Sequence, residues 1–244
     1  MKSNFKPIMK MFAVTGLVAL MIYYIDNILA TLPNYDKIAT ESPWIVSDLV
    51  HLPQFLIPFT IILYITKGKP SKYGFNLNED PPIFTHDRML LVGICFGLLM
   101  AIIPIIQALT GSPVGVPKPV TLVNILGYLS FQWVIVGLSE ETMFRGLIQT
   151  YLMNNMSGDI IILGNKLHIG TLISAIFWGG FHIINVINMP FSAALLTVAI
   201  TTPAGLMMGY VYQRTGSLFS TIIVHNTIFG VPLTFEYLLY FLGY

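Results

Sequence analysis

Seven runs of about 20 mostly apolar residues divide this chain, each long enough to cross the hydrocarbon core of a bilayer as a helix. They fall at residues 11–29, 46–65, 89–108, 121–138, 170–187, 193–212 and 218–242. Little is left between them to build a water-facing surface. Only 9% of the residues are charged, against about a quarter in ordinary soluble domains, so the bilayer is the solvent this composition suits. Backbone groups in hydrocarbon must find their partners internally, and a helix does this within one segment. The sequence therefore specifies an all-α, polytopic membrane helix bundle with about seven transmembrane helices. The first run follows Lys2, Lys6 and Lys10, as a signal peptide would. It is long and has no small-residue cleavage site after it, which marks an anchor instead. The fourth run has an amphipathic continuation towards Leu152, and the seventh contains Pro232, where it is open to being broken.

The basic residues give an orientation. With the N-terminus in the cytoplasm, Lys2, Lys6, Lys10, Lys67, Lys69, Lys72, Arg88, Lys166 and Arg214 all fall on the cytoplasmic side. Lys37 and Lys118 fall outside, a bias of the kind that sets membrane orientation. Residues 66–88 are rich in Pro, Gly and Asn and read as a cytoplasmic loop. A formal net charge of +1 leaves no electrostatic footprint for nucleic acid. The single Cys95 excludes an intrachain disulfide and a cysteine-rich metal site, and its apolar surroundings mark it as a small packing residue.

Polar residues inside the apolar runs are few, and a charged one at a helix centre carries a penalty of about 2.5–3.5 kcal/mol on insertion scales. Asp48 and His51 near the start of the second run, and Asp26 near the end of the first, read as interfacial or structural. The octet Ser139 to Gly146, SEETMFRG, is harder to place at an interface. Glu141 and Arg145 are four apart and share a helix face, with the acid N-terminal, the favourable order for an ion pair. Glu140 is turned about 100° away. Two adjacent carboxylates in different environments can leave one of them as a general base, although a buried ion pair locking two helices uses the same residues. Two further runs add histidines. Phe177 to Asn185, FWGGFHIIN, carries His182 with Asn185 three residues on, and Ser220 to Gly230, STIIVHNTIFG, carries His225 followed by Asn226. A carboxylate with histidine and amide donors can activate water and stabilise an oxyanion. Glu140, His182 and His225 could also ligate a divalent metal. No H-E-x-x-H or G-x-S-x-G occurs in the chain. Gly205 to Gly209, GLMMG, has small-residue spacing suited to close helix packing.

Taken in order, Glu140-Glu141-x-x-x-Arg145, Trp178-x-x-x-His182 and a distal His225 resemble the motifs of the CAAX prenyl endopeptidase and bacteriocin-processing family, the CPBP or Abi intramembrane proteases. The stretch from Gly205 to Asn226 is similar to the family's segment leading through its third motif. The resemblance covers residues 124–229 and implies a protease core at 123–230. Before it come N-terminal membrane helices over 1–122, with the loop near 66–88, and after it the end of the last segment at 231–244. It implies that Glu140 activates water with His182 facing the same water, that Arg145 holds Glu141 as a supporting pair, and that His225 is an oxyanion donor. Two positions depart from the pattern. Phe229 stands where the family often has asparagine, with Asn226 pointing elsewhere on the helix, and Trp178 stands where the family usually has phenylalanine, a mild aromatic exchange.

These readings define an intramembrane endopeptidase that acts on a membrane-associated peptide or protein without an obligatory metal. The alternative is a non-catalytic scaffold or immunity-type binding protein on the same fold. The site is expected in the cytoplasmic half of the bundle, in a cavity open to the cytoplasm.

Overall fold

A computed structural model of the chain describes residues 5–187 and 189–244; Lys2 lies outside them. Eight helices carry the fold: α1 (Phe5–Ala30), α2 (Tyr35–Glu41), α3 (Pro43–Thr66), α4 (His86–Leu109), α5 (Leu122–Asn155), α6 (Ile169–Phe181), α7 (Phe191–Thr215) and α8 (Leu218–Phe241). All but α2 are long and apolar enough to span a membrane, α6 doing so together with the 3-10 turn that follows it to Ile187. The protein is an integral, multi-pass membrane helix bundle. Its outer faces are apolar, as on α4, where Leu91, Leu98, Ile102, Ile103 and Ile106 are exposed. Cys95 is on that outer face as well, exposed instead of packed. α4 runs beside α8 because Gly93 and Gly97 leave no side chain between the helices; a Cβ on Gly93 would fall 2.7 Å from Thr227.

Two faces of the bundle are tied differently. On one, the 66–85 connection and the turn after α7 are knitted by Asn76 Nδ2 to Gly216 O at 2.9 Å, Asn78 Nδ2 to Thr215 O at 2.9 Å and Leu218 N to Gly74 O at 2.8 Å. The same face carries an antiparallel hairpin of β1 (Asp159–Ile162) and β2 (Asn165–His168). Its turn has positive φ at both Leu163 and Gly164, the backbone twist two-residue hairpins favour. Tyr210 of α7 donates to Asn165 in this hairpin, and Lys10 of α1 approaches Tyr151 at the end of α5. The other face gathers the end of α1, the short α2 and the starts of α3 and α5. There Tyr35 donates to Asp26 at 3.2 Å, and Asn124 donates to Glu41 O at 2.8 Å. Neither α2 nor the hairpin is legible as an apolar run.

The helix that carries the charged octet extends further than its hydropathy. The apolar run stops at Leu138, but α5 continues to Asn155 with its polar residues turned inwards: Glu141, Thr142, Arg145 and Gln149 are all buried. Glu140 consequently lies near the middle of the span and not near one end. Two π-helical stretches, Phe131–Ile135 and Thr142–Gln149, interrupt α5. Such stretches disturb the regular backbone pairing of an α-helix, and buried side chains bond the backbone beside them. Asn226 Oδ1 accepts from Gly137 N at 2.8 Å, Ser174 Oγ donates to Phe144 O at 2.7 Å, and Thr150 Oγ1 donates to Arg145 O at 3.0 Å. α8 passes through Pro232 without breaking.

Candidate active site

The two glutamates of α5 point into two layers. Glu141 is fully buried, and its Oε1 accepts from His225 Nδ1 at 2.9 Å. The Arg145 guanidinium approaches the same oxygen at 3.1 Å, out of hydrogen-bond alignment, while its Nη2 donates to Gly205 O at 3.1 Å. Arg145 also lies over the indole of Trp178, 4.7 Å from the ring centroid, a cation–π contact that helps a desolvated guanidinium. Gly205 makes this possible. A Cβ there would fall 2.5 Å from Trp178, so the GLMMG spacing serves close packing as its sequence suggests and also supplies a carbonyl to Arg145.

Glu140 faces the other way, into a cavity of about 570 Å³ lined by α1, α2, α3, α5 and the end of α6. Trp178 Nε1 donates to its Oε2 at 2.5 Å. This bond corrects the reading of Trp178 as a mild aromatic exchange, because phenylalanine has no donor to offer. With Oε2 held, Oε1 is directed towards His51 Nε2, 3.7 Å away. At that separation a single water can bridge two polar groups. The two side chains are 20% and 12% exposed, so solvent reaches them. His51 Nδ1 donates to Ser47 O at 2.8 Å, which leaves Nε2 for the carboxylate or a water. His51 is therefore part of the site, contrary to its interfacial or structural reading. Asp48, one turn earlier, is not close enough to Glu140 to bond it, and its Oδ1 is buried without a partner among the described residues. Asp26 is at the cavity's rim, accepting from Tyr35.

His182 and Asn185 both line the cavity with Glu140. His182 Nδ1 donates to Trp178 O at 2.8 Å, so its Nε2 is the atom left for chemistry. His225 is 1% exposed, and its Nε2 lies 4.0 Å from Glu140 Oε2, behind the carboxylate instead of on the cavity wall. It thus links the two glutamates. Asn226 bonds the backbone of α5 at Gly137 and Val134, which occupies it structurally. Phe229 packs against the His225 ring at a centroid distance of 5.3 Å. Among the described residues no three His, Cys, Asp or Glu side chains converge as a metal-binding group. His225 turns Nδ1 to Glu141, which leaves its Nε2 on the Glu140 side.

The cavity opens on the α2 side. Its walls rise from Glu140 and His51 through Val46, Ser47 and Pro43 to Asp26, Asn27 and Ala39. The basic loops and the hairpin are on the opposite side, so the cavity and the basic residues do not share one face as the sequence suggests. The reason is the length of α5: a helix ending near Leu138 would have put Glu140 close to the hairpin side.

Residues 122–229 match the family model described as Type II CAAX prenyl endopeptidase Rce1-like. No curated protein and no solved structure matches the chain.

Proposed function

From the membership of residues 122–229 in the CPBP family of CAAX-type membrane proteases, we propose that this chain is an intramembrane endopeptidase in which Glu140 activates the attacking water. Three features support the reading. Trp178 anchors one carboxylate oxygen, which leaves the other directed into the cavity as base. His51 and His182 each have one ring nitrogen tied to a backbone carbonyl and the other available near that oxygen or the same cavity. The buried Glu141–Arg145–His225 cluster holds His225 behind Glu140, where it can donate to the carboxylate or to charge developing beside it. In this mechanism a water between Glu140 Oε1 and a histidine Nε2 loses a proton to Glu140 as its oxygen attacks the peptide carbonyl. Glu140 then returns the proton to the leaving amine. Metal-independent hydrolysis belongs to the proposal, and proteolysis that survives strong chelation is its expected outcome.

The single observation that carries the proposal is the Trp178–Glu140–His51 alignment at the cavity wall. Mass spectrometry of membrane and secreted peptide termini, in cells expressing wild type or Glu140→Gln at matched levels, tests it. Termini present with wild type alone support proteolysis and report the substrate. Identical termini from an abundant, folded variant would instead favour a non-catalytic scaffold, the reading that Phe229 packed on His225 supports.

A further inference from the structure

The side from which a substrate reaches Glu140 follows from two independent features of the bundle. The first is the cavity. It is bounded by Ile22, Tyr23, Asp26 and Asn27 at the end of α1, by Ala39 of α2 and by Pro43 to Gln54 at the start of α3. Asp26 and Asn27 are exposed, so the rim is polar and wet while the walls below it, such as Val46, Val50 and Phe181, are apolar. The second is the charge distribution. Lys67, Lys69, Lys72, Arg88, Lys166 and Arg214 sit on the connections and helix ends of the hairpin face, and Lys10 approaches Tyr151 on that same side. Both faces carry acids, Glu79, Asp80, Asp87 and Asp159 on the hairpin face and Asp26, Asp36 and Glu41 on the cavity face. Among the described lysines and arginines, however, the cavity face has only Lys37 and Lys118. A lysine and arginine excess on short connections marks the cytoplasmic side.

We infer that the cavity opens to the extracytoplasmic side of the membrane, and that its substrate is the extracytoplasmic segment of an exported or membrane-anchored polypeptide. The inference rests on the protease reading for the word substrate, but the direction of the cavity stands without it. A cytoplasmic protein terminus would meet the knitted loops of the hairpin face, where Asn76, Asn78 and Ser217 bond across the helix ends. A segment arriving from outside meets an aqueous mouth leading to His51 and Glu140.

Cysteine accessibility in intact cells tests this. Cys95 is first replaced by alanine, and single cysteines are introduced as Ala39→Cys at the mouth, Ser47→Cys further inside and Ser71→Cys in the opposite loop. Lys37→Cys on the same short helix replaces Ala39→Cys should that variant not fold. A small, membrane-impermeant thiol reagent is expected to label Ala39→Cys and Ser47→Cys without permeabilisation, and Ser71→Cys only after it. Labelling of Ser71→Cys alone in intact cells, or equal labelling of both faces, would overturn the inference. The two readings fail separately. Reversed labelling with Glu140-dependent peptide termini sinks the direction of entry alone. The expected labelling with termini indifferent to Glu140→Gln sinks the extracytoplasmic substrate together with the protease and leaves an outward-facing binding cavity.

Discussion

Glu140 and Glu141 are adjacent in sequence and alike in chemistry, yet they occupy regions built on opposite plans. The layer around Glu141 is sealed: its carboxylate, the Arg145 guanidinium and the His225 ring are all almost inaccessible, and each is held by another. The layer around Glu140 is open: one oxygen is tied to Trp178, and the other faces a histidine across a gap that reaches solvent. One helical step of about 100° separates the two. The comparison teaches that access to solvent, not the number of partners, separates the two. Each has one engaged oxygen, but the free oxygen of Glu141 is buried and that of Glu140 faces the cavity. A carboxylate sealed from solvent can fix geometry, but one proposed as a base must keep an oxygen open to water.

Substitutions can break or sharpen this division. The largest effect on stability is expected in the sealed layer. Arg145→Ala leaves Glu141 as an uncompensated buried charge and should lower stability by about 3–5 kcal/mol, seen as a large fall in the thermal midpoint of the detergent-solubilised protein. Trp178→Phe keeps the aromatic volume but removes the donor to Glu140, a hydrogen bond to a charged group worth about 1.5–3 kcal/mol. A turnover loss of about 10- to 100-fold should follow, with much of the packing retained. His51→Ala should reduce turnover by about tenfold, equivalent to one ordinary hydrogen bond, while folding is preserved. An unchanged rate in that variant would remove α3 from the site. Asn226→Ala should cost about 1 kcal/mol of stability through the orphaned Gly137 N–H, with no separate effect on turnover. If its activity fell well beyond its stability, Asn226 would have a role in chemistry that its backbone bonds do not reveal.

Much of the sealed layer was legible in the sequence. The four-residue spacing of Glu141 and Arg145 specifies a shared face, and the structure brings them to 3.1 Å. His182 and His225 announce themselves as histidines within apolar runs. The open layer was less legible. His51 comes from a helix nearly 90 positions before Glu140, and only tertiary packing turns it from a polar residue near a helix start into a neighbour of the carboxylate. The indole N–H of Trp178 counts as a donor only once its direction is known. The course of α5 was legible only in part, as an amphipathic continuation towards Leu152. Hydropathy falls after Leu138 because the helix continues with residues that bond inside the bundle, such as Arg145 and Gln149, the latter to Gly209 O at 2.7 Å. That continuation is legible, but counting only the apolar run as the span places Glu140 too close to the hairpin face.

The most direct measurement compares Glu140→Gln and Glu141→Gln in one reconstituted preparation, following thermal stability alongside cleavage of the peptide whose termini identify it as substrate. The account predicts that Glu140→Gln melts close to wild type and has no measurable cleavage, whereas Glu141→Gln melts clearly lower because Arg145 and His225 lose their shared partner. Full cleavage by a folded Glu140→Gln protein would contradict it.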